Sequence, residues 1–590
     1  MTEKIYQDKI AAYKAVESSL KSRSRIWLLG KIISFTLIVV FGWLAYNDYS
    51  AVYVFNVFIF ACIYLFSYIA DEKCMTKIES CRAMQNVCRN EIKYLNGDFS
   101  PFPNGENFVN PNHEFSYDLD IFGKSSLYNR INRTVTGNGS KRLAEKLSAI
   151  CNDKKEILEN QEASAELAAM PDFRIALAAN PYIEARSENP EDLVGKDGGK
   201  NIFIRTGLPY ILTGITLLTL VLNIAGMLPV GAFVFMFLLQ LGITAVVDKI
   251  SLKTSSQTEM FHKEFGGYIR ILNKISKQDF KSEKMKRISG ELFSGSGNSL
   301  EALRKLARII NLFDQRGNAV MYILLNGLFL FDILVVKMFF RWSKKYLPHV
   351  RQWIDSIAEI DALSSLATYA FNNPQNRYGE ILDEDSEYVF DAVNVCHPFI
   401  PHDKAVPNSF SLKKKNISIV TGANMAGKST FLRTVGVTYI LASCGAPVCA
   451  ESFRFSLITL FSSMRTTDDL SSDISYFNAE LLRLKKLIQH VKSSHFTLII
   501  LDEILKGTNS QDKLKGSVMF LEEISKFNLA AVIATHDLEL AKLEEKSPVY
   551  SNYRFEIELS EDIKYTYKIQ KGVAQNLNAT FLLSNILKSI

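Results

Sequence analysis

A chain of 590 residues is too long for one hydrophobic core, since single cores stop growing at roughly 250–300 residues, so several structural units are expected. Apolar residues make up 47% of it, which is ordinary, yet the mean hydropathy is slightly positive, so the apolar excess is local. A net charge of +6 permits an anionic partner without demanding one, and eight cysteines with no CxxC pair and no Cys/His ligand spacing argue against a zinc site or a disulfide scaffold.

Residues 1–25 read as a cytoplasmic N-terminal segment, followed by a transmembrane hairpin over 26–70. Its two apolar runs, 26–46 and 51–70, each have about the twenty residues needed to cross a hydrocarbon core of roughly 30 Å, and Asn47 to Ser50 is the only turn between them. Lys31 lies close enough to the start of the first run for its stem to snorkel to the headgroups. A cleaved leader is the rival reading, disfavoured by the length of the first run, the missing A-x-A pattern and the second run directly behind it. Lys21, Arg23 and Arg25 precede the pair, Lys73 and Lys77 follow it, and the turn carries no basic residue, so both ends face the cytoplasm.

Residues 71–117 combine a charged helix with a Pro-, Gly- and Asn-rich loop over 96–114. Cys74, Cys81 and Cys88 recur every seven residues and read as small buried side chains along one stripe. Residues 118–200 are helical, ending in a linker over 187–200. A second hairpin occupies 201–250: runs 207–227 and 230–247 join through Gly226 and Pro229, with Arg205 before and Lys249 and Lys253 after. Helices resume over 251–380. The apolar stretch 319–340 is interrupted by Asn326, Asp332 and Lys337, and is expected as one buried helix of a soluble body, giving four spans in all.

From 381 to 590 short β-branched runs alternate with helical segments, which is α/β text. A strand over 417–421 enters Gly422, Ala423, Asn424, Met425, Ala426, Gly427, Lys428, Ser429 and Thr430, the G-x-x-x-x-G-K-[ST] pattern with a strand before and a helix after. Backbone N–H groups of such a loop, and the helix dipole behind it, suit phosphates; Lys428 suits the β- and γ-phosphates of ATP, and Ser429 suits Mg2+. The apolar strand 497–501 ends in Asp502, placed to hold magnesium through water, and Glu503, placed to polarise an attacking water. A third strand, 530–534, delivers His536 to the same sheet edge, within reach of a γ-phosphate. The fold class expected from these residues is an α/β P-loop nucleotide hydrolase, carried behind an all-α region with two transmembrane hairpins, and its motifs resemble those of the ABC/MutS type.

These residues resemble the MutS family of ATPases, whose phosphate loop reads GPNMGGKST and whose acidic strand continues DEIGRGT; here they read GANMAGKST and DEILKGT. Residues 468–480 (DDLSSDISYFNAE) are similar to the family segment DDL-x-x-G-x-STF-x-x-E. By that resemblance Ser475 reaches the γ-phosphate held by a second copy, which implies a homodimer with composite sites. His397-Pro398, Asn408, 442–451 and 572–575 extend the likeness over the final third, and 126–147, with Thr134, Val135, Thr136 and Gly139, is similar to the start of the family's helical core. Ala423 and Ala426 replace a proline and a glycine, so the backbone at 426 must accept a Cβ. Asp473 replaces the signature glycine, and Ala405 stands where an aromatic often faces adenine. The mismatch-reading N-terminal domain has no room, because a membrane hairpin occupies that part of the chain.

The resemblance implies a dimeric MutS-like ATPase binding DNA through its helical core for mismatch-repair-related work or DNA-structure sensing, and the apolar runs with their basic flanks add a multi-pass place in the cytoplasmic (inner) membrane with the ATPase domain in the cytoplasm. A transporter subunit of the ABC class is the rival, lacking its LSGGQ-type segment here; a membrane scaffold switched by nucleotide is a third reading. The basic stretches 281–287 and 413–415 suit either phosphate contacts or solvated faces.

Overall fold

The computed structural model describes residues 2–184, 206–294, 297–313, 319–401, 403–465, 476–506, 510–559 and 563–575. The chain opens with two very long helices, Thr2–Asp48 and Ala51–Leu95, packed against each other along their lengths. The first runs unbroken through residue 25, because no glycine or proline interrupts it there. The apolar runs are therefore the outer part of one continuous helix pair, whose polar part is tied by cross-helix contacts: Glu17 accepts from Arg82 Nε at 2.9 Å and from Gln85 Nε2 at 2.8 Å. Lys31 does not snorkel to headgroups; its ammonium pairs with Asp71 on the second helix at 2.5 Å, and Asp71 also accepts from Ser24 Oγ at 2.6 Å. Cys81 and Cys88 are buried in the pair, Cys74 only half so, and none of the eight cysteines is in a disulfide.

A polar hub joins the foot of this pair to the body. Arg133 holds Glu91 through two nitrogens, at 2.5 and 3.1 Å, Asn372 donates to Glu91 Oε2 at 2.8 Å, and Tyr6 donates to Asn372 Oδ1 at 2.9 Å. The body itself is built from helices Gly137–Ser148, Lys154–Ala168, Pro171–Ala178, Glu283–Phe293 and Ser299–Phe313 around the long helix Phe331–Asn372. Asp361 on that helix accepts from Val135 N at 3.0 Å, Thr136 N at 2.9 Å and Thr136 Oγ1 at 2.7 Å, and Thr136 in turn caps the helix that follows it by accepting from Gly139 N. The phrase Thr134 to Gly139 is thus a helix start sewn onto a distant carboxylate.

Leu208–Ile224 and Val230–Ile275 form the second apolar pair, joined through Gly226 and Pro229. Among the described residues three helices are long and apolar enough to cross a membrane, Thr2–Asp48, Ala51–Leu95 and the part Val230–Val247, or four if the bent pair Ala319–Phe329 and Phe331–Asn372 is counted as one; Leu208–Ile224 is apolar but shorter. The stretch 319–340 is not the single buried helix expected. It breaks at Leu330, a left-handed residue with φ of 51°, into Ala319–Phe329 and the start of Phe331–Asn372, bent by 79°, and the first piece leaves large apolar side chains exposed.

The C-terminal part is α/β. A four-stranded sheet has the order β1 (Glu380–Ile381), β5 (Ser452–Phe455), β2 (Tyr388–Val395), β3 (Asn408–Lys413). A six-stranded sheet has the order β10 (Ile563–Lys571), β9 (Tyr550–Leu559), β4 (Ile417–Gly422), β8 (Leu529–Thr535), β7 (Thr497–Asp502), β6 (Thr459–Ser463), parallel except for β10. Strands β4 and β8 are buried at every residue, as the near-continuous apolar character of central parallel strands requires.

Candidate functional site

The register of the central strands sets the site. Thr421 on β4 lies opposite Thr535 on β8, and Ala534 on β8 lies opposite Asp502 on β7, so the three carboxyl ends form one edge. From it emerge the loop 423–427, Asp502 with Glu503, and His536. Glu503 leaves its strand in a left-handed conformation, φ 60°, held by its N–H donating to Ala534 O at 2.9 Å.

The loop is shaped by two glycines with distinct reasons. At Gly422 a Cβ would lie 2.8 Å from the Phe555 carbonyl oxygen, so close strand approach excludes a side chain. Gly427 has φ of 106°, which glycine alone adopts without strain, and it starts helix Lys428–Ser443 without any side-chain cap. The first N–H groups of that helix, which have no partners within it, are left for whatever sits before them. Ala423 and Ala426 bury their methyl groups in the main core and neither has a left-handed backbone, so the Cβ at 426 is accommodated.

Lys428, His536 and Glu503 form a continuous polar chain. Lys428 Nζ is buried and donates to Gly422 O at 2.8 Å and Ala423 O at 2.9 Å, and it lies 3.2 Å from His536 Nδ1. His536 Nε2 lies 2.8 Å from Glu503 Oε1, with Lys513 Nζ 3.5 Å from the other carboxylate oxygen. Burial pulls the Lys428 amine down to about 8, against the opposing attraction of Asp502 and Glu503. Hydrogen bonding to His536, more than any other influence, holds the Glu503 carboxyl down at about 2 despite its partial burial.

These groups line a cavity of about 740 Å³. Its lining combines polar groups, Asn424, Ser429, Thr430, Asp502, Glu503 and His536, with the less polar Ile400, Ala405, Val406, Phe555 and Tyr567. Among the described residues no group of three or more His, Cys, Asp or Glu side chains is arranged to hold a metal by itself. Ser429 and Asp502 share the cavity wall, so they suit a magnesium ion whose shell is completed by phosphate and water oxygens, as that ion prefers.

Each expected site residue from 422 to 430, with Asp502, Glu503 and His536, thus comes to this edge. Ser475, with Asp473 and the rest of 466–475, lies outside the described residues. Tyr567 was missed by sequence reasoning. It sits on β10, far along the chain, and is positioned by Asn408, which donates to Tyr567 O at 3.0 Å and accepts from Ile569 N at 2.9 Å. No local pattern marks such a residue; only the pairing of β10 with β9 and the Asn408 clamp bring it there. The basic stretches are largely answered from within. Lys284 is buried against Glu359 at 2.6 Å, Arg287 pairs with Glu159 at 2.6 Å, and Lys413 pairs with Glu387 at 3.0 Å.

A family model, MutS domain V, matches residues 418–580. DNA mismatch repair protein MutS of Acetivibrio thermocellus is 33% identical over 238 residues, which is 39% of this chain and 27% of that protein. The proteins of the same name from Aquifex pyrophilus (33% over 230 residues, 37% of this chain, 26% of that protein) and Protochlamydia amoebophila (33% over 242 residues, 38% and 27%) match comparably. The chain therefore spans only about a quarter of the length of these relatives. The match begins in β4 and runs through the glycine loop, the acidic strand and the histidine strand, so it is the C-terminal region of the chain that is similar to domain V of the MutS family.

Proposed function

We propose that the chain is a membrane-anchored, ATP-hydrolysing MutS-family protein that works as a homodimer and holds DNA through its helical core. The observation that carries this reading is the chain Lys428, His536, Glu503 laid across the mouth of a cavity, directly before an uncapped helix N-terminus. The reading makes 381–590 the ATPase domain, 118–200 and 251–380 the two parts of the helical core, and the apolar helix pairs the anchor, with both ends of each pair in the cytoplasm.

In this reading the loop 422–430 takes the phosphates, and Lys428 turns from the carbonyls of Gly422 and Ala423 towards them. Magnesium, held by Ser429 and through water by Asp502, supplies charge neutralisation at the phosphates. Glu503 orients the water that attacks, and His536, already hydrogen-bonded to it, keeps that carboxylate in place while facing the γ-phosphate position. Tyr567 offers its ring to the base in the place where Ala405 cannot. Ser475 completes the site from a second copy, as its place in the family segment implies.

The DNA half follows from the name of the relatives and from the family's helical core. Purified full-length protein is expected to bind DNA in a salt-sensitive manner and to shift from monomer to dimer when ATP is added to a Glu503→Gln variant. Light scattering with and without ATP, and anisotropy of labelled duplex and branched DNA across a salt series, check both. Absence of binding to every DNA structure tried removes the DNA half and leaves the ATPase half standing.

A pH dependence follows from Lys428. Its lowered value means that the amine of the free protein is charged below about pH 8 and neutral above it. Phosphate charge pulls the amine back to its protonated form, so binding above that pH takes up a proton. Affinity for ATP is therefore expected to be insensitive to this group below about pH 8 and to fall above it by at most about tenfold per pH unit. Calorimetry at pH 9 in two buffers of different ionisation enthalpy would report the proton uptake directly.

A further inference from the structure

The apolar piece Ala319–Phe329 is at odds with both places a sequence could put it. It is eleven residues long, about 16 Å of helix, roughly half of a hydrocarbon core, so it cannot cross a membrane. It is also no core helix: Val320 is 65% exposed, Ile323 47% and Leu324 46%, on a helix with no charged residue. An apolar surface of that kind does not stay in water unless something covers it.

Its polar neighbours face the protein. Asn326 is fully buried, donates to Tyr322 O at 3.0 Å and accepts from Asp332 N at 2.9 Å, so its side chain bridges the break at Leu330 and occupies a backbone donor of the next helix. Lys337 donates to the carbonyl of Thr206 and lies over the Tyr210 ring at 4.9 Å. Satisfying polar groups internally at a helix break is what hydrocarbon surroundings require. The piece is docked on the second apolar pair: Thr213 Oγ1 donates to Phe329 O at 3.1 Å, Leu330 packs with Val247 and Ile333, and Gly327 lies so close to Phe237 that a Cβ would come within 2.3 Å of its ring.

The two flanks decide the topology. Before the piece, helix Ser299–Phe313 exposes Arg304, Lys305 and Arg308; after it, helix Phe331–Asn372 exposes Arg341, Lys344 and Lys345. The flanks touch each other. Trp342 Nε1 donates to Ala302 O at 2.8 Å, and Lys305 Nζ lies 3.5 Å from Tyr346 OH and 5.9 Å from the centre of the same ring. Two packed helices cannot stand on opposite sides of a bilayer, and basic flanks belong on the cytoplasmic side.

We infer that Ala319–Phe329 is a re-entrant half-helix, immersed among the acyl chains of the cytoplasmic leaflet beside the second apolar pair, and that Leu330 is the corner at which the chain returns to the cytoplasm. This rests on the membrane reading above and adds a fifth lipid-contacting element that does not alter the side on which the C-terminal domain lies. The 42-residue helix Phe331–Asn372 then starts in lipid contact and ends at the Glu91 hub, so one helix, with Pro348 inside it, connects both apolar pairs.

The test uses the full chain in liposomes containing a phospholipid with a photoactivatable diazirine in its acyl chain, followed by peptide mapping. Label is expected on 26–46, 51–70, 208–247 and also on 319–329. Label on the apolar pairs with none on 319–329, as when a second protein copy covers it, overturns the re-entrant helix alone. No acyl label anywhere overturns the membrane reading and this inference with it. A second measurement separates re-entry from crossing. Arg308→Cys and Lys344→Cys variants, compared with unsubstituted protein, are expected to gain reaction with a membrane-impermeant maleimide from the same face of the vesicle. Gain from opposite faces overturns the proposal.

Discussion

Changing Glu503 to glutamine is expected to lower ATP turnover by about 10²–10⁴-fold while changing nucleotide affinity little. The amide oxygen of a glutamine can still accept from His536 Nε2, which lies 2.8 Å from the carboxylate, so the shape of the site is kept and the negative charge that orients water is lost. Lys428→Ala separates binding from chemistry in the other direction. It removes the one buried ammonium at the loop, the group that already hydrogen-bonds the loop carbonyls, and should abolish measurable ATP binding as well as turnover. Steady-state phosphate release and equilibrium binding of a fluorescent ATP analogue distinguish the two. Turnover unaltered in both variants would falsify the assignment of the site. Turnover lost in the glutamine variant with every cellular activity retained would favour a scaffold that nucleotide merely switches.

The second large effect lies far from the loop. Gly139→Ala is expected to destabilise the helical body by about 3 kcal/mol. A Cβ there would stand 2.3 Å from Asp361 Oδ2 and 2.7 Å from Thr136 Oγ1. Neither neighbour can yield cheaply, since Asp361 is anchored by the N–H groups of Val135 and Thr136 and Thr136 is the cap of the helix concerned. The start of that helix must move off the long central helix, leaving buried donors unpaired. A drop in the melting temperature of the detergent-solubilised protein checks it, with Gly290→Ala as the contrast: no atom lies within 4 Å of a Cβ at that position.

Several features were legible from residues alone because their cause is local. The G-x-x-x-x-G-K-S pattern between a strand and a helix, the acidic pair closing an apolar strand, and the apolar runs with basic flanks all state their chemistry within a few residues. Others depended on partners hundreds of residues away. Lys31 looked like a snorkelling lysine until Asp71 was found facing it, and Lys284, readable as either a phosphate contact or part of a solvated face, is neither exposed nor unpaired but buried against Glu359. The stretch 319–340 shows the same limit. Asn326, Asp332 and Lys337 read as polar interruptions of a core helix, whereas the left-handed break at Leu330 and the satisfaction of Asn326 and Lys337 against neighbouring backbone appear only in three dimensions.

The amino-acid sequence by itself determined the likeness of the C-terminal region to a known family and where its strands and long apolar helices fall, because backbone conformation, strand burial and hydrophobicity are written in short windows. The tertiary structure alone decided that Lys428, His536 and Glu503 are in hydrogen-bonding contact, that Tyr567 lines the same cavity, and that Ala423 and Ala426 fit without strain. The physical reason is that strand order and register are set by packing summed over the whole sheet: placing β8 between β4 and β7 brings three distant segments to one edge, and no single segment carries that information.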